Sequence, residues 1–231
     1  MHRRPNVTEI VEPTTKDRSV LSQYSYQRRR PVDNSAIPNV IFVLLITNGL
    51  VYAAQQLAPN FMIMWFPLWP LASPYPQFMP WQLVTYGFLH DFGSLQHIIF
   101  NMFGLWMFGR DLERMMGPRR FLTYYLTCVV GAGIVQLIVA GLQGGVYPTL
   151  GASGGVFGIL LAYAMAFPNR TVMLLIPPIP MKAKYFVLAY GLLELYLGVS
   201  GRASGVANFA HLGGMLFGFL LLQYWRGKKQ P

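Results

Sequence analysis

The sequence predicts an all-α integral membrane protein: six transmembrane helices in one bundle, with an interfacial loop between the first and second. Three observations predict it. The 231 residues are 54% hydrophobic and only 11% charged, with a mean hydropathy of +0.39, whereas soluble domains run at about 45–50% apolar and about 25% charged. Six apolar runs punctuate the chain, several near the roughly 20 residues a helix needs to cross the hydrocarbon core. If those runs alternate in direction, 17 of the 18 basic residues fall on one side, which is the positive-inside pattern. Such a composition excludes an ordinary soluble enzyme and excludes disorder over most of the chain.

Residues 1–38 are polar, broken by prolines, and carry Arg28-Arg29-Arg30 just before the first apolar run. They read as a basic, flexible cytoplasmic tail. The first run, Asn39–Leu57, starts too late and is too long for a cleaved signal peptide. The next stretch, Ala58 to Gly93, is nearly uncharged, with Asp91 alone, and sets Phe61, Trp65, Phe66, Trp69, Tyr75, Phe78 and Trp81 among six prolines. Aromatic rings of this kind settle at headgroup depth. The segment reads either as an aromatic belt or as a partly embedded structure shaping access to the bundle.

The remaining runs are Leu95–Leu112, Phe121–Gly141, Leu150–Phe167, Lys184–Val199 and Val206–Trp225. The fourth and fifth of the six are short and carry glycine, so they cross only if tilted or if their ends lie under protein. The tail, the 112–120 loop, the 168–184 loop and the C-terminus then share the basic side, and Arg202 alone lies opposite. Both termini are therefore expected in the cytoplasm. The domain organisation is a tail (1–38), a six-helix membrane domain (39–226) and a short cytoplasmic end (227–231). This placement accounts for the net charge of +10 without nucleic-acid binding. A lone cysteine, Cys128, permits neither an intrachain disulfide nor a cysteine zinc site.

Polar residues within membrane segments are costly and are suspects for function. His97 and Asn101 lie early in the second segment, Ser153 early in the fourth and His211 early in the sixth. Alternating topology puts all four in the outer half, with Ser153 and His211 about 5–10 Å below the interface at 1.5 Å per residue. Ser153 sits in Gly151-Ala152-Ser153-Gly154-Gly155, where a helix start offers free N–H groups and a positive dipole end to an oxyanion. Gly154 and Gly158 also fit plain small-residue helix packing. In the sixth segment His211, Gly214 and Gly218 share one face, so that helix can approach a partner closely. If the partner is the fourth segment, the imidazole reaches Ser153; otherwise it is a histidine bonded between helices. His97 and Asn101 share a face at i, i+4 and both offer N–H donors.

Metal binding is disfavoured by the lack of an H-E-x-x-H pattern or of acids at ligand spacing, and His90 has no matching partner. The four aspartates lie at segment ends or in loops. Glu194 is the sole acid well inside a span. It reads as a protonated or paired structural residue, with a transporter's proton relay as the rival. No internal repeat supports transport.

Taken together these residues resemble the rhomboid family of intramembrane serine proteases. The resemblance rests on Gly151-Ala152-Ser153-Gly154, Ala210-His211 with Gly214 and Gly218, His97-Ile98-Ile99-Phe100-Asn101, and Leu112-Glu113 with Gly117, Arg119 and Phe121. It runs from about Asn39 to Trp225. It implies a six-helix rhomboid-like bundle and a Ser–His dyad, with Ser153 as nucleophile and His211 as general base and later acid. The Ser153 backbone N–H, His97 and Asn101 would then bind the oxyanion, supported by Gly151, Gly154, Phe157, Gly214 and Gly218. The family's dyad works without an orienting acid. Two positions depart from the pattern: Phe157 stands where members often carry tyrosine, and Trp81-Gln82 where many have Trp-Arg. The implied activity is serine-type endopeptidase cleavage of transmembrane protein substrates near the outer face of the bilayer, in a bacterial plasma membrane. No cofactor, metal or nucleic-acid partner is implied. A non-catalytic relative binding membrane clients is the rival, and such relatives typically lack the serine or histidine kept here. The flexible composition of Gly198–Gly205 suggests a movable lid.

Overall fold

The computed structural model describes residues 39–173, 178–201 and 207–228. The 1–38 tail, Arg202 to Gly205 of the expected lid and the last three residues of the chain lie outside the described residues. Eight α-helices are described. They are α1 (Asn39–Leu57), α2 (Pro59–Trp65), α3 (Gln82–Thr85), α4 (Leu95–Met116), α5 (Pro118–Gln143), α6 (Ser153–Ala166), α7 (Ala183–Ser200) and α8 (Asn208–Gly227). A 3₁₀ turn, Tyr86–Phe88, follows α3.

Each of the six apolar runs is a helix, with ends set by local chemistry that hydropathy does not register. The second run continues past Leu112 through Glu113 and Arg114 until Gly117, at φ 82°, stops it. Pro118 then starts α5 at a position where its missing N–H costs nothing. The fourth run is shortened at its start: Leu150 and Gly151 are not helical, and α6 begins at Ser153. The 168–184 loop is also more ordered than an all-α reading allows. Strands β1 (Thr171–Met173) and β2 (Pro180–Lys182) pair antiparallel, Val172 opposite Met181.

Two helices, α1 and α5, are long and apolar enough to cross a membrane by length and composition alone. The 14 residues of α6 span only about 21 Å, against about 30 Å for a bilayer core. This helix lies at the centre, packed against α4, α5, α7 and α8, and none of its residues is exposed. Around it apolar side chains lie on the outer surface as well as in the core, and several polar ones are buried. Phe42, Leu50, Ile138, Leu188, Leu195 and Leu220 face outward, while Asn48, Gln55, Asn101, Glu113, Glu194 and Asn208 are buried. Such a surface needs an apolar solvent, and the buried polar groups need partners.

Those partners tie the helices together. The Glu113 carboxylate accepts from the Val40 and Ile41 N–H groups at 3.0 and 2.9 Å, so the end of α4 caps the start of α1, whose first amides have no helical acceptor. Gln55 on α1 donates to the His90 carbonyl and accepts the His90 N–H, at 2.8 and 2.9 Å. The aromatic segment between α1 and α4 is folded rather than merely belt-like. Gln82 is fully buried within it; its Oε1 accepts from the Trp69 and Met79 N–H groups and its Nε2 donates to the Trp65 and Gln77 carbonyls. The amide thus anchors the loop where many relatives of this pattern carry arginine. Trp81 and Thr85 add hydrogen bonds to the Trp65 and Phe66 carbonyls.

Replacing Gln82 by alanine strands the partly buried Trp69 and Met79 N–H groups and takes the donor from the Gln77 carbonyl, while the Trp65 carbonyl keeps Trp81 Nε1. We expect a loss of about 2–4 kcal/mol, read as a lower thermal midpoint in detergent. An unchanged midpoint would show that the loop is held elsewhere.

Candidate active site

The stretch before α6 is fixed by the aromatic segment. Leu68 and Thr149 exchange backbone hydrogen bonds, each 2.9 Å, and the Gly151 N–H donates to the Tyr86 carbonyl at 3.0 Å. Gly151 has φ +133°, a conformation that side chains disfavour. A Cβ there would also lie 3.0 Å from His97 Nε2 and 3.5 Å from Ser153 Oγ. Only glycine fits, and the same numbers place the His97 ring and the Ser153 hydroxyl around one small space. Ala152 turns the chain into α6, and Ser153 is its first residue. The amides of Ser153 and the two glycines after it thus belong to the helix's first turn, without acceptors in the helix.

His211 reaches this point because α8 lies directly against α6. A Cβ on Gly214 would fall 1.9 Å from the Gly154 carbonyl oxygen, and one on Gly158 would fall 3.2 Å from the Gly214 carbonyl oxygen. A Cβ on Gly218 would likewise fall 2.4 Å from the Tyr124 hydroxyl of α5. With the backbones in contact, His211 Nε2 stands 2.8 Å from Ser153 Oγ. Phe157 stacks flat on the imidazole, centroids 4.3 Å apart and planes within 4°, and Tyr190 stacks on Phe157 at 5.1 Å. The phenyl ring therefore orients the histidine by its face, worth about 0.5–1.5 kcal/mol beyond burial.

His97 and Asn101 line the same cavity. The Asp91 N–H donates to His97 Nδ1 at 3.1 Å, so in the neutral ring the proton sits on Nε2, the nitrogen near Gly151. Asn101 is buried and its Nδ2 donates to the His97 carbonyl at 2.9 Å. Its amide is held within its own helix rather than aimed at Ser153. His90 is not isolated, as its sequence position suggests; it packs edge-on against His97 with centroids 5.2 Å apart. Among the described residues neither of its ring nitrogens has a hydrogen-bond partner. Burial, with His97 alongside, pushes it down to about 3.

Glu194 is the residue whose neighbourhood the sequence did not disclose. Its Oε2 lies 2.9 Å from His211 Nδ1 and accepts from Asn208 Nδ2 at 2.6 Å. The Nδ1 contact is close but poorly angled for a hydrogen bond. The sequence signals were the solitary acid in an apolar run and an asparagine three residues before the histidine. Nothing local ties residues 194 and 211 together.

A cavity of about 1280 Å³ opens over these groups. Ser153, His211, His97 and Asn101 meet there, and it extends between α4 and α7 past Met107, Phe186 and Leu193. A hydroxyl, an imidazole and several N–H donors around one accessible space can carry out nucleophilic acyl transfer.

A family model described as the Rhomboid domain matches residues 77–227. The chain is 28% identical over 191 residues to Rhomboid protein 1, mitochondrial, of Saccharomyces cerevisiae, covering 79% of this chain and 52% of that protein. It is 32% identical over 145 residues to the rhomboid protease GluP of Bacillus subtilis, covering 60% and 25%. Identity to the rhomboid protease GlpG of Photorhabdus laumondii is 29% over 183 residues, covering 79% and 59%. The chain therefore spans between a quarter and about three fifths of the length of these relatives. Fold and site define a helical bundle with an apolar core, a few buried polar groups and a serine–histidine pair in an open cavity. The chain belongs to the rhomboid family, whose members are integral membrane proteins.

Two outcomes follow from this geometry. Gly214→Ala must push α8 from α6, costing about 1–3 kcal/mol and separating His211 from Ser153; wild-type reactivity of Ser153 in that variant would refute the backbone contact. His90 binds a proton in the unfolded chain near its ordinary 6.5 but in the folded protein only near 3. It therefore contributes stability above pH 6.5 that is lost as the pH falls toward 3. His90→Leu should flatten that part of the thermal-midpoint profile relative to wild type.

Proposed function

We propose that this chain is an intramembrane serine endopeptidase that cuts transmembrane protein substrates near the outer face of the bilayer. The observation that carries the reading is the 2.8 Å approach of His211 Nε2 to Ser153 Oγ inside an open cavity. In this reading α1, α4, α5, α6, α7 and α8 are six spans with both termini in the cytoplasm, residing in a bacterial plasma membrane. Polarity along the helices supports it. His97, Ser153 and His211 all lie in the first turn of their helices, while Arg114 and Arg226 lie in the last turns of α4 and α8. The shortness of α6 leaves a depression above Ser153 deep enough for water, which hydrolysis requires.

A substrate segment enters sideways between α4 and α7, where the facing rings of Phe108 and Phe186, 6.2 Å apart, line the cavity. It unwinds near its outer end, freeing a peptide carbonyl from helical hydrogen bonding. Ser153 Oγ attacks that carbon as His211 Nε2 takes the hydroxyl proton. The oxyanion is met by the Ser153 N–H and the His97 Nε2–H, and by Asn101 once its amide turns from the His97 carbonyl. Collapse breaks the C–N bond, His211 returns the proton to the leaving amine, and water hydrolyses the acyl-enzyme by the same path.

Detergent-purified protein should be labelled at Ser153 by a fluorophosphonate, and Ser153→Ala and His211→Ala should abolish both labelling and cleavage of a reconstituted single-span reporter. Folded but unlabelled wild type, with no cleavage, overturns the proposal. Asn101→Ala should lower kcat about 100-fold with intact folding.

A further inference from the structure

We infer that Glu194 is the acid of a serine–histidine–glutamate relay, a positioning residue that holds the His211 ring and its proton on Nδ1 while Nε2 serves Ser153. This rests on the peptidase reading above, and it departs from the two-residue mechanism the family resemblance implies.

The geometry is that of three groups from three helices, with the imidazole between the hydroxyl and the carboxylate. Ser153 on α6 lies 2.8 Å from Nε2, and Glu194 on α7 lies 2.9 Å from Nδ1 of the same ring. The carboxylate is itself held, since Asn208 donates to it at 2.6 Å and both residues are about 95% buried. A carboxylic acid in an apolar bundle is costly unless it is satisfied, and here its nearest polar neighbours are the histidine and this one amide. The contact to Nδ1 is close but off the ideal hydrogen-bond angle, and catalytic hydrogen bonds can tighten as a reaction proceeds.

Glu194 serves two ends. An acceptor at Nδ1 selects the tautomer with a bare Nε2, the form able to take the serine proton. When that proton arrives, the ring becomes a cation beside an anion in a water-poor site, and the charge pair is stabilised. Phe157 fixes the plane of the ring, while Glu194 fixes its rotation within that plane. Because Glu194 sits on α7, one wall of the substrate opening, the relay is complete only while α7 stays near α8.

A purely structural role, joining α7 to α8 through Asn208, predicts different behaviour, and three variants of the full chain separate the two. Glu194→Gln keeps size and an oxygen for Asn208 but removes the charge. It should lower kcat for the reporter about 100-fold, change KM less than about twofold, and move the acid limb of the kcat/KM profile to lower pH. Glu194→Asp should recover activity to within about tenfold of wild type, and Glu194→Ala should not. Asp91, His97, Tyr86, Tyr147 and Tyr190, the other titratable groups lining the cavity, are unchanged in all three. Wild-type kcat and pH profile in a folded Glu194→Gln overturn the relay and leave the Ser153–His211 reading standing. Loss of wild-type labelling at Ser153 sinks that reading instead. Should Glu194→Gln fail to fold, ¹⁵N spectra of histidine-labelled wild type decide, with the four histidines assigned through His211→Ala. A proton on Nδ1 of neutral His211 supports the relay, and one on Nε2 overturns it.

Discussion

The separation of α6 and α8 is set by backbone meeting backbone. On one side stands the Gly154 carbonyl, and on the other a Gly214 Cα with no room for a methyl group, since a Cβ would sit 1.9 Å from that oxygen. Two helices with ordinary side chains between them keep their axes about 8–10 Å apart. Removing the side chains lets the Ser153 and His211 side chains bridge the remaining gap at 2.8 Å. The same closeness recurs where Gly158 meets Cys128 and Gly218 meets Tyr124 of α5. Three helices are thereby locked around a single axis, and α6 can be short because it is sheathed by its neighbours.

The polar groups buried in this bundle depend on carboxylates and amides that each satisfy several partners. Glu113 caps α1 from the far end of α4, Gln55 brackets the His90 backbone, and Gln82 holds four backbone groups of the aromatic segment. That segment in turn holds Thr149 and Gly151, so the start of α6 is presented by a folded loop instead of a free linker. In an apolar solvent an unmatched group has no water to turn to, which makes these residues costly to remove although they are far from any reacting atom.

Glu194 belongs to this set by burial and to the site by position. Its neighbours are one amide and one imidazole, and the phenyl ring of Phe157 covers the imidazole face where a tyrosine would add a hydroxyl. Polar support for the histidine therefore comes from α7, on the far side of the ring from the serine.

Apolar runs and their glycine signatures were readable because period, length and residue size are properties of a continuous stretch of chain. The six helices lie where those runs are, and Ser153, His211, His97 and Asn101 stood out as polar residues in apolar company. Helix ends were less readable: Gly117 and Gly151 act through backbone angles, and Glu113 continues α4 because its charge is used by α1. The β1–β2 hairpin, three residues per strand, is too short for an alternating pattern to register. What only the folded chain decided is which distant groups share a partner. Asn101 spends its amide on its own helix, Gln82 gathers four backbone groups of the aromatic segment, and Glu194 meets His211. Composition fixes a helix's solvent, but contacts between residues 14 or 58 positions apart depend on how close and at what rotation two helices pack, and that follows from every side chain along both faces at once.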